Sequence, residues 1–176
     1  DDPSGLLPPF SSVDSLGESV AKTVIGYGHY EPLRHYAEVV LEIAPAERNS
    51  GITFDSTVHI DVLSANYQAL VKTHIFEKQH KGILTGSPLT DVKITLINGR
   101  AHLKHTEGGD FRQATYRAIR QGLEKAENVI LEPFYAFEIY AGEEYAGRIM
   151  TDIQRLRGSF EPPVQMGIQN KWQRSS

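Results

Sequence analysis

The sequence predicts an α/β protein of the two-layer α+β type, and three observations support that prediction. Several segments of the 176-residue chain alternate apolar and polar residues, as half-buried strands do. Two longer segments repeat apolar residues at helical spacing. Glycine, proline and asparagine separate these segments, as turns require. The chain has no cysteine, so disulfide frameworks, cysteine zinc sites and thiol nucleophiles are excluded.

Three regions are predicted along the chain. Residues 1–30 are rich in proline, serine, glycine and aspartate and show no sustained period, which indicates a linker or the remnant of a preceding domain. Residues 31–128 are predicted to form one domain, and residues 129–176 an incomplete second unit. The absent initiator methionine and the abrupt C-terminal end predict a fragment of a longer protein.

Alternation predicts the first two strands. In residues 36–44, Val39, Leu41 and Ile43 share one face, and residues 52–60 form a second β-rich run. These two strands are expected to pair as a hairpin with a longer loop.

The next two strands are predicted around a turn. Residues 90–97 alternate again, and Asn98-Gly99 follows them directly. This dipeptide is a strong hairpin signal because a type I′ turn needs positive φ at both central positions. A short strand over residues 100–103 is therefore predicted to fold back on residues 90–97.

Two helices are predicted, over residues 64–81 and residues 111–126, with Asp110 as the cap of the second. Both are expected to pack on one face of a four-stranded sheet. His74 lies on an apolar helical face and is predicted to be a core histidine whose hydrogen bonds are satisfied. His80 is predicted near a helix C-terminus, where the helix dipole favours positive charge.

The last part of the chain predicts a β-α-β unit. Its elements are a strand over residues 129–141 that Pro133 interrupts, a helix over residues 143–157 and a strand over residues 159–166. Such an unfinished sheet exposes an edge, so an edge-mediated dimer is predicted.

Basic charge is concentrated in one segment, although the net charge is −4. Residues 99–125 carry six lysines and arginines against three acids. Within this segment, Lys104 can contact a phosphate, and His102 or His105 can stack on an unpaired base. The loop is therefore a candidate nucleic-acid contact, and an ordinary solvated connection is the alternative.

A second candidate loop has the sequence GYGHYEPLRH, residues 26–35. It offers stacking and charge through four residues: His29, Tyr30, Arg34 and His35. The alternative is a linker with incidental aromatic residues.

Other chemistry finds less support in the sequence. The phosphate-binding pattern G-x-x-x-x-G-K-[ST] is absent, so this chain is predicted neither to bind nor to hydrolyse GTP. A small α/β enzyme that uses His102, His105 and Asp110 stays open as the alternative function. The spacing of His102 and His105 is only loosely that of metal ligands, and no metal or cofactor is predicted in this chain.

An ordered set of motifs in residues 28–165 resembles the C-terminal part of elongation factor G-like translational GTPases. It comprises Gly82–Gly86, Thr90-Asp91-Val92, the loop Gly99–Asp110, Leu131-Glu132-Pro133 and Arg155-Leu156-Arg157-Gly158. The step Asp110-Phe111-Arg112 and the stretch GHYEPLRHYAEV are most similar to the tetracycline ribosomal protection subgroup.

The resemblance implies a fold. Residues 31–128 would be a domain IV, similar to domain 2 of ribosomal protein S5, with a left-handed β-α-β crossover. Residues 129–176 would be a truncated ferredoxin-like domain V.

The resemblance also implies a function: a non-catalytic, ribosome-binding part of a cytoplasmic GTPase that protects ribosomes from tetracycline. The parent would use GTP and magnesium, and neither DNA nor a membrane would be a partner. Two tip loops would contact small-subunit rRNA at the decoding A site. The first loop comprises Arg100, His102, Leu103, Lys104, His105 and Thr106, and the second comprises His29, Tyr30, Arg34 and His35.

Overall fold

The computed structural model describes residues 16–132, 137–166 and 169–173. The chain divides after residue 133 into two compact units. The mixed α/β architecture that the sequence predicts is confirmed, with helices and sheets in both units.

A four-stranded sheet forms the first unit's framework, in the order β2-β3-β5-β4. Its strands are β2 (Val24–Tyr30), β3 (Ala37–Pro45), β4 (Ile52–Ser56) and β5 (Val92–Ala101). β3 is antiparallel to both β2 and β5, whereas β4 is parallel to β5. The predicted hairpin of the strands now labelled β3 and β4 is therefore wrong, because β5 lies between them.

Two helices, α1 (Ala65–Phe76) and α2 (Gly108–Lys125), cover one face of this sheet. Alternate residues of the central strands join side chains of both helices in one core. The rings of Tyr67 in α1 and Phe111 in α2 stack at 4.8 Å between centroids. The predicted packing of both helices on a single face is confirmed, and we call the opposite face the outer face.

The predicted turn at Asn98-Gly99 is wrong, because both residues continue β5. Neither has positive φ. β5 pairs with β3 on one side through a bulge opposite Val40 and Leu41, and with β4 on the other. A Cβ atom at Gly99 would lie 2.8 Å from the side chain of Leu63, so this glycine serves close packing instead of a turn.

The prediction of a linker over residues 1–30 is wrong from residue 17 onward, and residues 1–15 lie outside the described residues. β1 (Gly17–Val20) pairs with β6 (Asn128–Leu131), and β2 is an edge strand of the main sheet. Because β6 pairs with a strand of the first unit, the second unit does not begin at residue 129.

The helix bounds differ from those predicted mainly at the end of α1, which stops at Phe76 instead of residue 81. Beyond that end, His80 donates from Nε2 to the carbonyls of His74 and Ile75, so it caps the helix, as its predicted position suggests. Burial lowers the pKa of His80 and favours the neutral ring. His74 is buried, as predicted, and its Nδ1 lies 3.1 Å from Glu77 Oε1. Its Nε2 is buried without a hydrogen-bond partner among the described residues, so the ring is only partly satisfied.

The second unit contains β7 (Glu138–Gly142), a 3₁₀ turn (Glu143–Tyr145), α3 (Ala146–Arg155), β8 (Val164–Met166) and β9 (Gln169–Gln173). The strand order is β7-β9-β8, with both pairings antiparallel. The sequence analysis missed β9, and part of its predicted strand 129–141 lies outside the described residues. The edge-mediated dimer stays a prediction.

No helix in the described parts of the chain has both the length and the apolar character needed to cross a membrane.

Candidate functional site

Both candidate loops leave the main sheet at the same end. β2 finishes at Tyr30 and β3 begins at Ala37, and these two residues are paired. Ala37 is in turn paired with Ala101, the last residue of β5. The loop of residues 31–36 and the loop of residues 102–107 therefore emerge from adjacent strands. We call these two loops, together with Arg100 near the end of β5, the tip.

Thr106 fastens the two loops to each other. Its hydroxyl donates to the Tyr36 carbonyl at 2.8 Å and accepts the backbone N–H of His102 at 2.6 Å. A second tie lies beside it, where His35 Nδ1 is 2.8 Å from the Asp110 carboxylate. The sequence predicted Thr106 as a contact residue, which stays a prediction, and the structure shows that it holds the two loops together.

Changing Thr106 to valine should loosen the tip without unfolding the domain. Valine keeps the shape but removes both hydroxyl hydrogen bonds, which are worth about 1 kcal/mol each. We expect the amide proton of His102 to exchange faster with solvent, while those of β5 stay protected. Thr106→Ser should restore slow exchange, and unchanged exchange in Thr106→Val would contradict this tie.

α2 begins directly after the tip, and a capping box fixes its start. Glu107 is the N-cap, and Asp110 at the third helical position accepts the Glu107 N–H at 2.9 Å. The sequence assigned the N-cap to Asp110 itself, three positions too late, although the Asp110 carboxylate does accept a backbone N–H at the start of the helix. These contacts set the direction in which the loop of residues 102–107 leaves the helix.

The first loop presents exposed rings and a cation. The imidazoles of His102 and His105 stack at 4.8 Å between centroids, with 22° between their planes. Lys104 is exposed between them in the chain, and the Leu103 side chain is fully exposed. An open depression beside this loop is lined by Glu31, Tyr36, Arg100, Ala101, His102, Leu103 and Lys104.

The predicted residues of the second loop divide between two directions. His29 faces outward, where it pairs with Glu31 at 3.0 Å and contacts the Tyr36 ring edge-on at 5.4 Å. Tyr30 faces α2, because the guanidinium of Arg117 lies over its ring at 5.0 Å. His35 is turned toward Asp110, while Arg34 is exposed in the left-handed region with φ of 67°.

The basic segment is not a uniform positive surface. Arg112 is paired with Glu77 at 3.0 Å and Arg120 with Glu124 at 3.8 Å. By contrast, Arg100 and Lys104 have no ion-pair partner within 4 Å in the described part of the chain. The cations available to a ligand in this segment therefore include both of those at the tip.

The positions of these side chains do not support the alternative function, a small α/β enzyme that uses His102, His105 and Asp110. It needs the Asp110 carboxylate beside His102 or His105, but Asp110 is buried and engaged by His35 and by the Glu107 N–H. Within residues 16–132, 137–166 and 169–173, no cluster of three or more potential metal-ligating side chains occurs.

Tyr36 and Tyr27 are the residues at this end that the sequence analysis missed. Tyr36 lies between His29 and His102, and Tyr27 lies 6.4 Å from His29 between ring centroids. The sequence does contain a signal for Tyr27. Gly26 and Gly28 alternate with Ile25, Tyr27 and His29, which indicates a strand with small residues on one face and large ones on the other.

Comparisons with known proteins agree with this architecture. The family model described as elongation factor G, domain IV, matches residues 18–127. A crystal structure of a protein from Thermus thermophilus matches with a TM-score of 0.80 and 27% sequence identity. The match covers 90% of this chain and 24% of that one, so this chain spans about a quarter of its length.

Proposed function

Because the chain belongs to the elongation factor G domain IV family, we propose that its tip binds the ribosome through small-subunit rRNA near the decoding centre. The observation that supports this proposal most directly is the position of two cations without an ion-pair partner among the described residues, Arg100 and Lys104, beside the exposed imidazoles of His102 and His105. Cations contact phosphates, and rings stack on unpaired bases, so the tip carries both elements of an RNA contact.

The finer parts of the proposal concern the parent protein. In it, this domain would serve a cytoplasmic GTPase that uses GTP and magnesium outside these 176 residues. Tetracycline ribosomal protection is the subgroup that we propose, on the basis of Asp110-Phe111-Arg112 and the stretch GHYEPLRHYAEV. The domain itself would act by contact, without catalysis, and neither DNA nor a membrane would be its partner.

A paired charge deletion tests the ribosome contact. The double variant Arg100→Ala/Lys104→Ala should bind purified small ribosomal subunits roughly tenfold more weakly, because each lost phosphate contact also removes counterion release. The slope of log affinity against log salt should fall by about one per contact. Co-sedimentation over a range of salt concentrations measures both quantities.

The matched control removes the same charge from the opposite end of the sheet. Arg48 is exposed in the loop after β3, and Lys93 is exposed near the start of β5. The variant Arg48→Ala/Lys93→Ala should bind like the wild type. Equal losses in the two double variants would indicate a general charge effect and would refute a contact localised at the tip.

A further inference from the structure

The outer face of the main sheet carries a continuous row of rings that leads to the tip. We call it the aromatic row, and its members in spatial order are Tyr27, His29, Tyr36, His102 and His105. Successive ring centroids lie 6.4, 5.4, 6.5 and 4.8 Å apart. The row crosses from an edge strand to the loop that follows β5, so three separate chain segments build one surface.

Close packing on the opposite face places the row where it is. A Cβ atom at Gly26 would lie 2.0 Å from the carbonyl oxygen of Ala118, and one at Gly28 would lie 1.9 Å from that of Ala114. These glycines therefore face α2, and the alternation of the strand directs Tyr27 and His29 to the outer face.

The rings are accessible and mostly not stacked on one another. Tyr27 is 43% exposed, and the His29 side chain is 39% exposed. The planes of the first three neighbouring pairs are inclined by 37°, 68° and 59°, whereas His102 and His105 are nearly parallel. The exposed parts of these rings can therefore contact a flat ligand.

Glu38 acts on both phenols of the row, through a hydrogen bond to one and through its charge on both. The Tyr36 hydroxyl donates to the Glu38 carboxylate at 2.9 Å. Burial and the Glu38 charge raise the pKa values of both Tyr27 and Tyr36, so both phenols stay neutral at pH 7. Neutral rings avoid adding negative charge where a phosphate backbone would pass.

Charges along the row favour a polyanion at the tip end. Arg100 is paired in register with Glu38 on the neighbouring strand, and Lys104 is exposed in the loop that carries the two stacked histidines. Of the nearby acids, Glu31 pairs with His29, and Glu38 accepts a hydrogen bond from the Tyr36 hydroxyl. Neither Arg100 nor Lys104 has an ion-pair partner within 4 Å in the described part of the chain, so both cations can contact phosphates.

We propose that the aromatic row binds an unpaired RNA strand, whose bases stack on its rings while its phosphates contact Arg100 and Lys104. Stacking accepts every base, so this binding would be insensitive to sequence and would require single-stranded RNA. The proposal rests on the proposed function and extends the RNA contact from the tip to Tyr27 on the edge strand.

The test is fluorescence anisotropy with a labelled, unstructured RNA decamer and the full 176-residue chain. Tyr27→Leu and Tyr36→Leu should each weaken binding about tenfold, since base–ring stacking contributes ~1–3 kcal/mol per base. Tyr27→Phe and Tyr36→Phe keep the rings and should bind like the wild type. This contrast separates stacking from a structural role of the hydroxyl groups.

Tyr145→Leu is the matched control, because Tyr145 is 53% exposed in the second unit and is not a member of the row. Weak or no binding of the decamer by the wild type would overturn the proposal, as would equal binding of duplex RNA. If Tyr27→Leu binds the decamer like the wild type while Arg100→Ala/Lys104→Ala loses ribosome binding, the aromatic row does not bind RNA and the proposed function stands. Normal ribosome binding by that double variant would instead refute the proposed function.

Discussion

Replacing Gly28 with alanine is expected to destabilise the first unit by at least about 3 kcal/mol, at or beyond the upper end of ordinary overpacking costs. The new Cβ would lie 1.9 Å from the carbonyl oxygen of Ala114 and 2.6 Å from the backbone nitrogen of Ala118. Both atoms belong to the backbone of α2, so no side-chain rotation relieves the clash. The helix must instead separate from β2, which exposes part of the core.

Gly109→Ala is the matched control for this substitution. Gly109 lies in the first turn of α2, its φ is not positive, and a Cβ there meets nothing within 4 Å. Alanine should therefore stabilise by about 0.5–1 kcal/mol through its lower entropy in the unfolded chain. Urea denaturation followed by circular dichroism measures both changes. A Gly28→Ala variant whose stability lies within about 1 kcal/mol of the wild type, the lower end of overpacking costs, would contradict the close contact between α2 and β2.

The sequence predicted correctly those helices and strands whose local pattern agrees with the tertiary packing. The helix over residues 111–126 is close to the observed α2, because its apolar stripe is regular and its start carries a cap. The turn predicted at Asn98-Gly99 does not form, because tertiary pairing overrides its local signal. Its turn signal is local, whereas β3 and β4 hold β5 extended from both sides, and those partners are distant in sequence.

The candidate site was predictable as two loops but not as one surface. Residue types pointed to His29 and His102, and the pairing of Tyr30, Ala37 and Ala101 brings their loops together. Tyr27 was missed because its outward direction depends on Gly26 and Gly28 facing α2. The local alternation indicates the strand, but the contact that decides which of its faces meets α2 joins residues about ninety positions apart.

Replacing Glu18 with alanine is expected to cost about 3 kcal/mol or more, because each unsatisfied buried donor costs ~1–3 kcal/mol. The Glu18 carboxylate is fully buried and accepts from the backbone N–H groups of Leu84, Thr85 and Ser87 and from the Thr85 hydroxyl. It therefore anchors β1 to the loop before β5. Glu18→Gln leaves only one acceptor oxygen among these donors and should also destabilise the unit.

The same contacts give this anchor a pH dependence. Burial raises the pKa of Glu18, but the hydrogen bonds to Leu84, Thr85 and Ser87 outweigh it and lower the pKa below 4.5. A lowered folded-state pKa means that the stabilisation is complete above the unfolded value and is lost as the pH falls through the folded one. Wild-type stability should therefore fall below about pH 4.5 more steeply than that of Glu18→Gln. Glu47→Gln, which alters an exposed carboxylate, should follow the wild-type curve. If the curves of the wild type and Glu18→Gln stay parallel between pH 3 and 6 (roughly the range in which carboxyl groups titrate), the ionised Glu18 carboxylate does not anchor β1.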